Sequence, residues 1–189
     1  MIFDIPYNRE RAVEYARRWA LSRNPLFIDF TGGGGDCTNF VSQCLFAGCP
    51  VMNYTDTFGW YYISADDRAP AWSGVDEFYS FITQAPDFVM SNGGIGPYGK
   101  EAQMPTEIQI GDVVQLMNRS GEYYHTLIIS GFEENDILIC AHSDDALDRR
   151  LSTYPYYSLR IIHILGGRVN IDTDRPFNRL IEGEEITSI

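Results

Sequence analysis

Two apolar rhythms divide this chain, and their order constrains the fold more than any single residue does. In the first half, apolar residues recur at helical spacing: Ala12, Val13, Ala16, Trp19 and Ala20, then Phe40, Val41, Cys44 and Leu45, then Val75, Phe78, Tyr79 and Ile82. In the second half they fall in short stretches, at 110–117, 126–130, 137–141 and 158–165. Polar segments at 118–121 and 131–136 separate the first three and read as hairpin turns. Helices first and sequential strands second predict an α+β fold with an antiparallel sheet, rather than a doubly wound parallel one. Asn8 is expected to cap a helix running to about residue 22, and Gly48 with Pro50 to end the helix that starts at Cys37. A third, short helix is expected to open at Ser73 or Gly74. Segments 51–73 and 84–105 carry aromatic, Gly and Pro residues without a period and read as irregular. The 189 residues predict one domain over 1–189.

The chemistry concentrates at one boundary. The run Gly32-Gly33-Gly34-Gly35 stops at Asp36-Cys37, and the helical pattern begins behind it. A sulfur at a helix start meets unpaired N–H groups and the positive end of the dipole, which favours a thiolate. Cys44, two turns on, and Cys140, inside the apolar stretch 137–141, read as small buried hydrophobes, and Cys49 in its turn has no evident role. A thiolate nucleophile needs a base, and only three histidines exist. His125 heads the strand 126–130 and His142 follows the strand 137–141; if these strands form a hairpin, both histidines fall at one end of the sheet. His163 lies inside the last strand and reads as structural. The plainer alternative, a buried cysteine and hydrogen-bonded histidines without a joint role, stands beside this pairing.

Other chemistries fit less well. No C-x-x-C or H-x-x-x-H pair occurs, so no metal site is expected. The glycine run lacks the Lys-Ser/Thr ending of a phosphate loop and places Asp36 where phosphate would be repelled. No carboxylate pair is singled out for glycoside hydrolysis among the 26 acids. A net charge of −12 argues against nucleic acid or an anionic membrane as partner. Neither an export segment nor a membrane-spanning apolar run is evident, so the chain is expected to be soluble, cytoplasmic by default and secreted if trimmed.

Three segments together resemble a known group. Asp36-Cys37-Thr38-Asn39-Phe40-Val41-Ser42-Gln43 is similar to the nucleophile motif of NlpC-type, papain-like cell-wall peptidases. Gly111-Asp112-Val113-Val114 resembles their strand entry, and Tyr124-His125-Thr126-Leu127-Ile128-Ile129 their histidine strand. His142 falls where they place a polar third residue. Over roughly residues 7–168 the chain is still more similar to the putative amidase domain family, through Tyr7-Asn8-Arg9, Phe58-Gly59-Trp60-Tyr61-Tyr62 and His142-Ser143-Asp144-Asp145, with a polar C-terminal tail beyond.

The resemblance implies a papain-like α+β fold, with the cysteine helix packed on an antiparallel sheet. It implies Cys37 as nucleophile, His125 as base and His142 as the residue orienting that base, with Asp144 as a competing third residue. The Cys37 N–H would help hold an oxyanion. Asp36 is read first as the cap of the helix that also orders the glycine loop, and second as a binder of a substrate amine. Tyr54, Trp60 and Tyr124 are candidates for a cleft wall, with core packing the equal alternative for the stretch 54–60. The implied activity is cysteine-dependent cleavage of an amide, in a peptide or peptidoglycan-like substrate, without a cofactor. An idle binding module, or a transferase or deamidase using the same residues, remains open.

Overall fold

In the computed structural model, residues 1–102, 106–171 and 181–183 are described. Most of the expected C-terminal tail lies outside them. The helices are α1 (Arg9–Trp19), α2 (Cys37–Gly48), α3 (Pro70–Ser73), α4 (Val75–Ile82) and α5 (Pro86–Asn92). The strands are β1 (Ile2–Ile5), β2 (Gly96–Glu101), β3 (Val113–Met117), β4 (Tyr123–Glu133), β5 (Asp136–Ala141), β6 (Ala146–Arg150) and β7 (Ser158–Asn170). They form one seven-stranded sheet in which every pairing is antiparallel. The fold is therefore α+β, as the order of the two apolar rhythms predicts.

The sheet runs β7-β3-β4-β5-β6, and β7 also carries β1 and β2. Ile162 pairs with both Glu101 and Val113, and Gly167 with both Ile5 and Pro97. A residue has one neighbour on each side, so β2 takes one edge of β7 while β1 and β3 share the other, end to end. Alternation along β4 splits the interior into two cores. Ile128 faces the helices, in a cluster with Phe40, Val41, Cys44, Leu45, Trp60, Trp72 and Phe78. Leu127 and Ile129 face the other way, against Leu116, Ile139, Leu151 and Tyr154. Burial on both faces explains why β4 reads as an unbroken apolar run.

Local chemistry fixes the ends of the leading helices. The Asn8 side chain accepts from Arg11 N at 2.9 Å, capping α1 as expected. The helix stops at Trp19, where Ser22 N turns back to Trp19 O. Helix α2 packs against α1 and β4. Its last residue is glycine for a steric reason: a Cβ on Gly48 would lie 2.3 Å from the Tyr7 ring and 2.8 Å from Asn8 O. That contact seats the start of α1 against the end of α2.

Several elements were not expected. The segment 84–105 holds α5 and β2, and 51–73 holds α3 and the isolated bridges Asn53↔Trp60 and Tyr62↔Arg68. Strands β1 and β6 are also additional, and β7 runs on to Asn170. The pairing Glu133↔Asp136 leaves only Glu134 and Asn135 at the tip of the second hairpin, where a longer turn was expected. Among the described residues no helix is long and apolar enough to cross a membrane.

Candidate active site

Cys37 opens α2, so its N–H has no carbonyl one turn back to bond. The helix start is tied to the sheet one residue further on: the Thr38 and Thr126 hydroxyls are hydrogen-bonded at 2.8 Å, both fully buried. This link holds Cys37 and His125, the residues just before each threonine, at one end of β4. Both border a cavity of about 280 Å³, with Gly34, Gly35, Tyr124, Ser143, Asp144, Tyr154 and Pro155. Thiol and imidazole share this cavity without a direct hydrogen bond between them. Such contacts often tighten only when substrate is bound.

His125 is poorly provided for. It is 7% exposed, its Nε2 is buried without a hydrogen-bond partner, and its ring lies near those of Tyr124 and Tyr154, with centroids at 6.1 and 5.9 Å. Burial pushes its pKa down from 6.5 to about 4; the negative charge of Asp144 works against that shift and Arg149 with it. The ring is therefore a neutral base at neutral pH. Asp144 is ion-paired with Arg149 at 2.5 Å. Tyr154 also carries a buried hydroxyl without a partner, and the Arg149 guanidinium lies 4.0 Å from its ring centroid.

His142 is placed differently from the expectation. The hairpin does bring it to the same end of the sheet, but both ring nitrogens are occupied elsewhere. Nδ1 meets Asp36 Oδ2 at 2.6 Å and Nε2 meets the Trp19 carbonyl at 2.9 Å. Both partners are acceptors, and each ring nitrogen is taken up by one of them. The ring stacks on Phe40 at 3.9 Å, on the helical side of the sheet. No nitrogen remains to orient His125, and His142 does not border the cavity; Asp144, the competing third residue, does.

Asp36 corrects a second expectation. It occupies the N-cap position of α2, yet its side chain makes no capping bond to the helix backbone. Its Oδ1 instead accepts from Phe30 N at 3.0 Å and Asn39 Nδ2 at 2.7 Å, while Oδ2 faces His142. The first of these bonds does tie down the loop before Cys37. With 1% of its surface exposed, Asp36 is not open to a substrate amine. From the turn after β5, Ser143 Oγ accepts Asp36 N–H at 2.5 Å, and Ser143 holds a left-handed φ of 70°. Arg23 closes the arrangement with two bonds to Asp145, at 3.0 and 2.9 Å, and its Nε 3.6 Å from Asp36.

Of the aromatic candidates, Tyr124 borders the cavity, with its hydroxyl donating to the Pro155 carbonyl at 2.8 Å. Trp60 does not: it is fully buried, 4.7 Å from Trp72 between ring centroids, and donates to Ser42 Oγ. Tyr54 packs on Tyr61 at 5.4 Å and is likewise absent from the cavity wall. Cys44, Cys49 and Cys140 are buried with raised pKa values, Cys49 to about 11, which fits their structural reading. Among the described residues no cluster of His, Cys, Asp and Glu is arranged to hold a metal ion. Sequence reasoning missed Ser143, Tyr154 and the Thr38–Thr126 link; the polar run after His142 was the only signal for the first.

No solved structure matches this chain. A curated relative, the uncharacterized protein YhbB of Bacillus subtilis (strain 168), is 25% identical over 143 residues, which is 74% of this chain. The match spans 42% of the relative, so the chain covers less than half of that protein's length. Residues 6–165 match the Putative amidase domain, and at that coverage the chain belongs to this family.

Proposed function

We propose that this protein is a cysteine-dependent amide hydrolase of papain-like type acting on peptides, with peptidoglycan stem peptides as the substrate class. The observation that carries the reading is one cavity shared by a helix-start thiol, Cys37, and a buried, under-bonded imidazole, His125. His125 takes the thiol proton, and Cys37 Sγ attacks the amide carbonyl carbon. The oxyanion that forms is held by the Cys37 N–H at the start of α2. The C–N bond then breaks, His125 delivers its proton to the leaving nitrogen, and an acyl thioester stays on Cys37. Water, giving a proton to His125, adds to the thioester; the C–S bond breaks, releasing the acid and restoring the thiol.

Asp144 is the third residue in this reading. It borders the same cavity, and its charge favours the imidazolium that forms in mid-reaction. His142 acts from behind, holding Asp36 and hence the loop that delivers Cys37. The test is product analysis on muropeptides and small peptide amides. A new amine and a new carboxylate, both lost in Cys37→Ser, support hydrolysis. Amine release with the acyl group passed to another amine, and no free acid, points instead to a transferase. No turnover of any amide by pure protein points to a binding module.

A further inference from the structure

The active-site cavity does not end at Tyr124. A second hollow of about 400 Å³ opens on the far side of the same wall, lined by Asn118, Arg119, Tyr124, Pro155, Tyr156 and Tyr157. Tyr124 and Pro155 line both, and the bond from the Tyr124 hydroxyl to Pro155 O fixes this shared wall. We propose that the second hollow is the subsite for the leaving half of the substrate, and that it selects a leaving group bearing a free carboxylate. The inference rests on the hydrolase reading for its placement.

Three observations carry it. First, Arg119 makes no hydrogen bond or ion pair with the other described residues, in a chain of net charge −12. An unpaired guanidinium on a cavity rim is suited to bind a carboxylate through two parallel bonds. Second, the turn that carries Arg119 is held rigidly. Asn118 Oδ1 accepts from Ser120 N at 2.8 Å and Glu122 N at 3.1 Å, and Asn118 Nδ2 donates to Glu122 Oε2 at 3.0 Å. Glu122 is the acid nearest in sequence and is engaged with Asn118. Third, the walls are the partly exposed rings of Tyr124, Tyr156 and Tyr157, and Tyr157 N is anchored to Met117 O at 2.9 Å. Tyrosines offer flat faces and hydroxyls at low entropic cost.

The orientation follows from the chemistry. Gly34 and Gly35, on the cysteine's own segment, and Tyr124, the residue just before His125, all border the cavity. The amine that receives the His125 proton leaves on the histidine side, toward Tyr124 and Arg119.

The test uses binding, so that it stands apart from turnover. Cys37→Ala protein is titrated with N-acetyl-trialanine, or with the same peptide as its C-terminal amide, and followed by NMR. The free acid is expected to bind about tenfold more tightly than the amide, with shifts at residues 119, 124, 156 and 157. In Arg119→Gln the preference falls to about onefold, and salt weakens it in the parent. Equal affinity for acid and amide, binding elsewhere, absence of binding by either, or a preference surviving Arg119→Gln each overturns the subsite. None of these results bears on whether Cys37 is an activated nucleophile.

Discussion

Two of the three histidines live in opposite circumstances to the third, and the contrast separates well-bonded rings from an under-bonded one. His142 is paired with Asp36 at 2.6 Å and His163 with Asp112 at 2.8 Å, each against a carboxylate with almost no exposed surface. His125 has no such partner: its Nε2 is buried and unbonded, and burial drives its pKa to about 4. Folding alone would favour giving that nitrogen a partner, because a buried unsatisfied polar group costs roughly 1–3 kcal/mol. The unmet bond lies on a residue that borders the Cys37 cavity, and in the proposed mechanism a substrate and the thiol proton supply what the fold withholds.

The largest expected effects split His125 from His142 by kind. His125→Ala is expected to lower amide cleavage by about 100-fold or more, the usual loss when a general base is removed, with little change in melting temperature. His142→Ala is expected to do the reverse in kind: it strands a buried Asp36 carboxylate and lowers unfolding free energy by about 3–5 kcal/mol in a denaturant titration. Equal destabilisation by both substitutions would erase the distinction.

Asp112→Ala sharpens the same comparison at a residue that does not border the Cys37 cavity. Its carboxylate receives Arg9 at 2.6 Å, His163, Gln109 N at 2.8 Å and Ile164 N at 3.1 Å. Removing it should destabilise by about 3–5 kcal/mol while the rate of Cys37 alkylation in the folded protein stays unchanged.

A pH titration of stability isolates His125 next. Above pH 6.5 its ring is neutral in both folded and unfolded chains. As pH falls from 6.5 toward 4, the unfolded chain binds a proton that the buried ring refuses, so stability is lost through that window, by up to about 3 kcal/mol. Subtracting the His125→Gln curve from the parent curve should leave this slope; a flat difference would show that the ring is not desolvated. The smallest effect is expected for Tyr124→Phe, which removes one partly exposed bond to Pro155 O and should cost less than about 1 kcal/mol.

Much of this was legible from pattern, because pattern reports burial. Helices α1, α2 and α4 and strands β3, β4, β5 and β7 carry apolar periodicity, and each is found within a few residues of its expected bounds. Strand β2 was invisible for a physical reason. It reads Gly-Pro-Tyr-Gly-Lys-Glu, and a Cβ on Gly99 would lie 2.5 Å from His163 O, so close approach to β7 selects a residue that looks like a loop. Strand β6, Ala-Leu-Asp-Arg-Arg, is a charged edge with little apolar content to announce it.

At the site, Cys37 and His125 were legible as residue types at the ends of elements. The partner of Asp36 was not. An acid before a helix reads locally as a cap, but a buried histidine 106 residues away competes for its oxygen with a shorter, charge-assisted bond. Trp60 stayed open between wall and core for the same reason, and the core alternative holds: aromatic composition cannot tell a cleft wall from a core ring fixed by long-range packing.

The most direct test of the central claim is the rate of iodoacetamide alkylation at near-neutral pH, mapped by residue, in the parent protein and in His125→Ala. The account predicts rapid labelling of Cys37 ahead of Cys44, Cys49 and Cys140, and loss of that speed in His125→Ala. Labelling of Cys37 no faster than a free thiol peptide, or equally fast without His125, would contradict it.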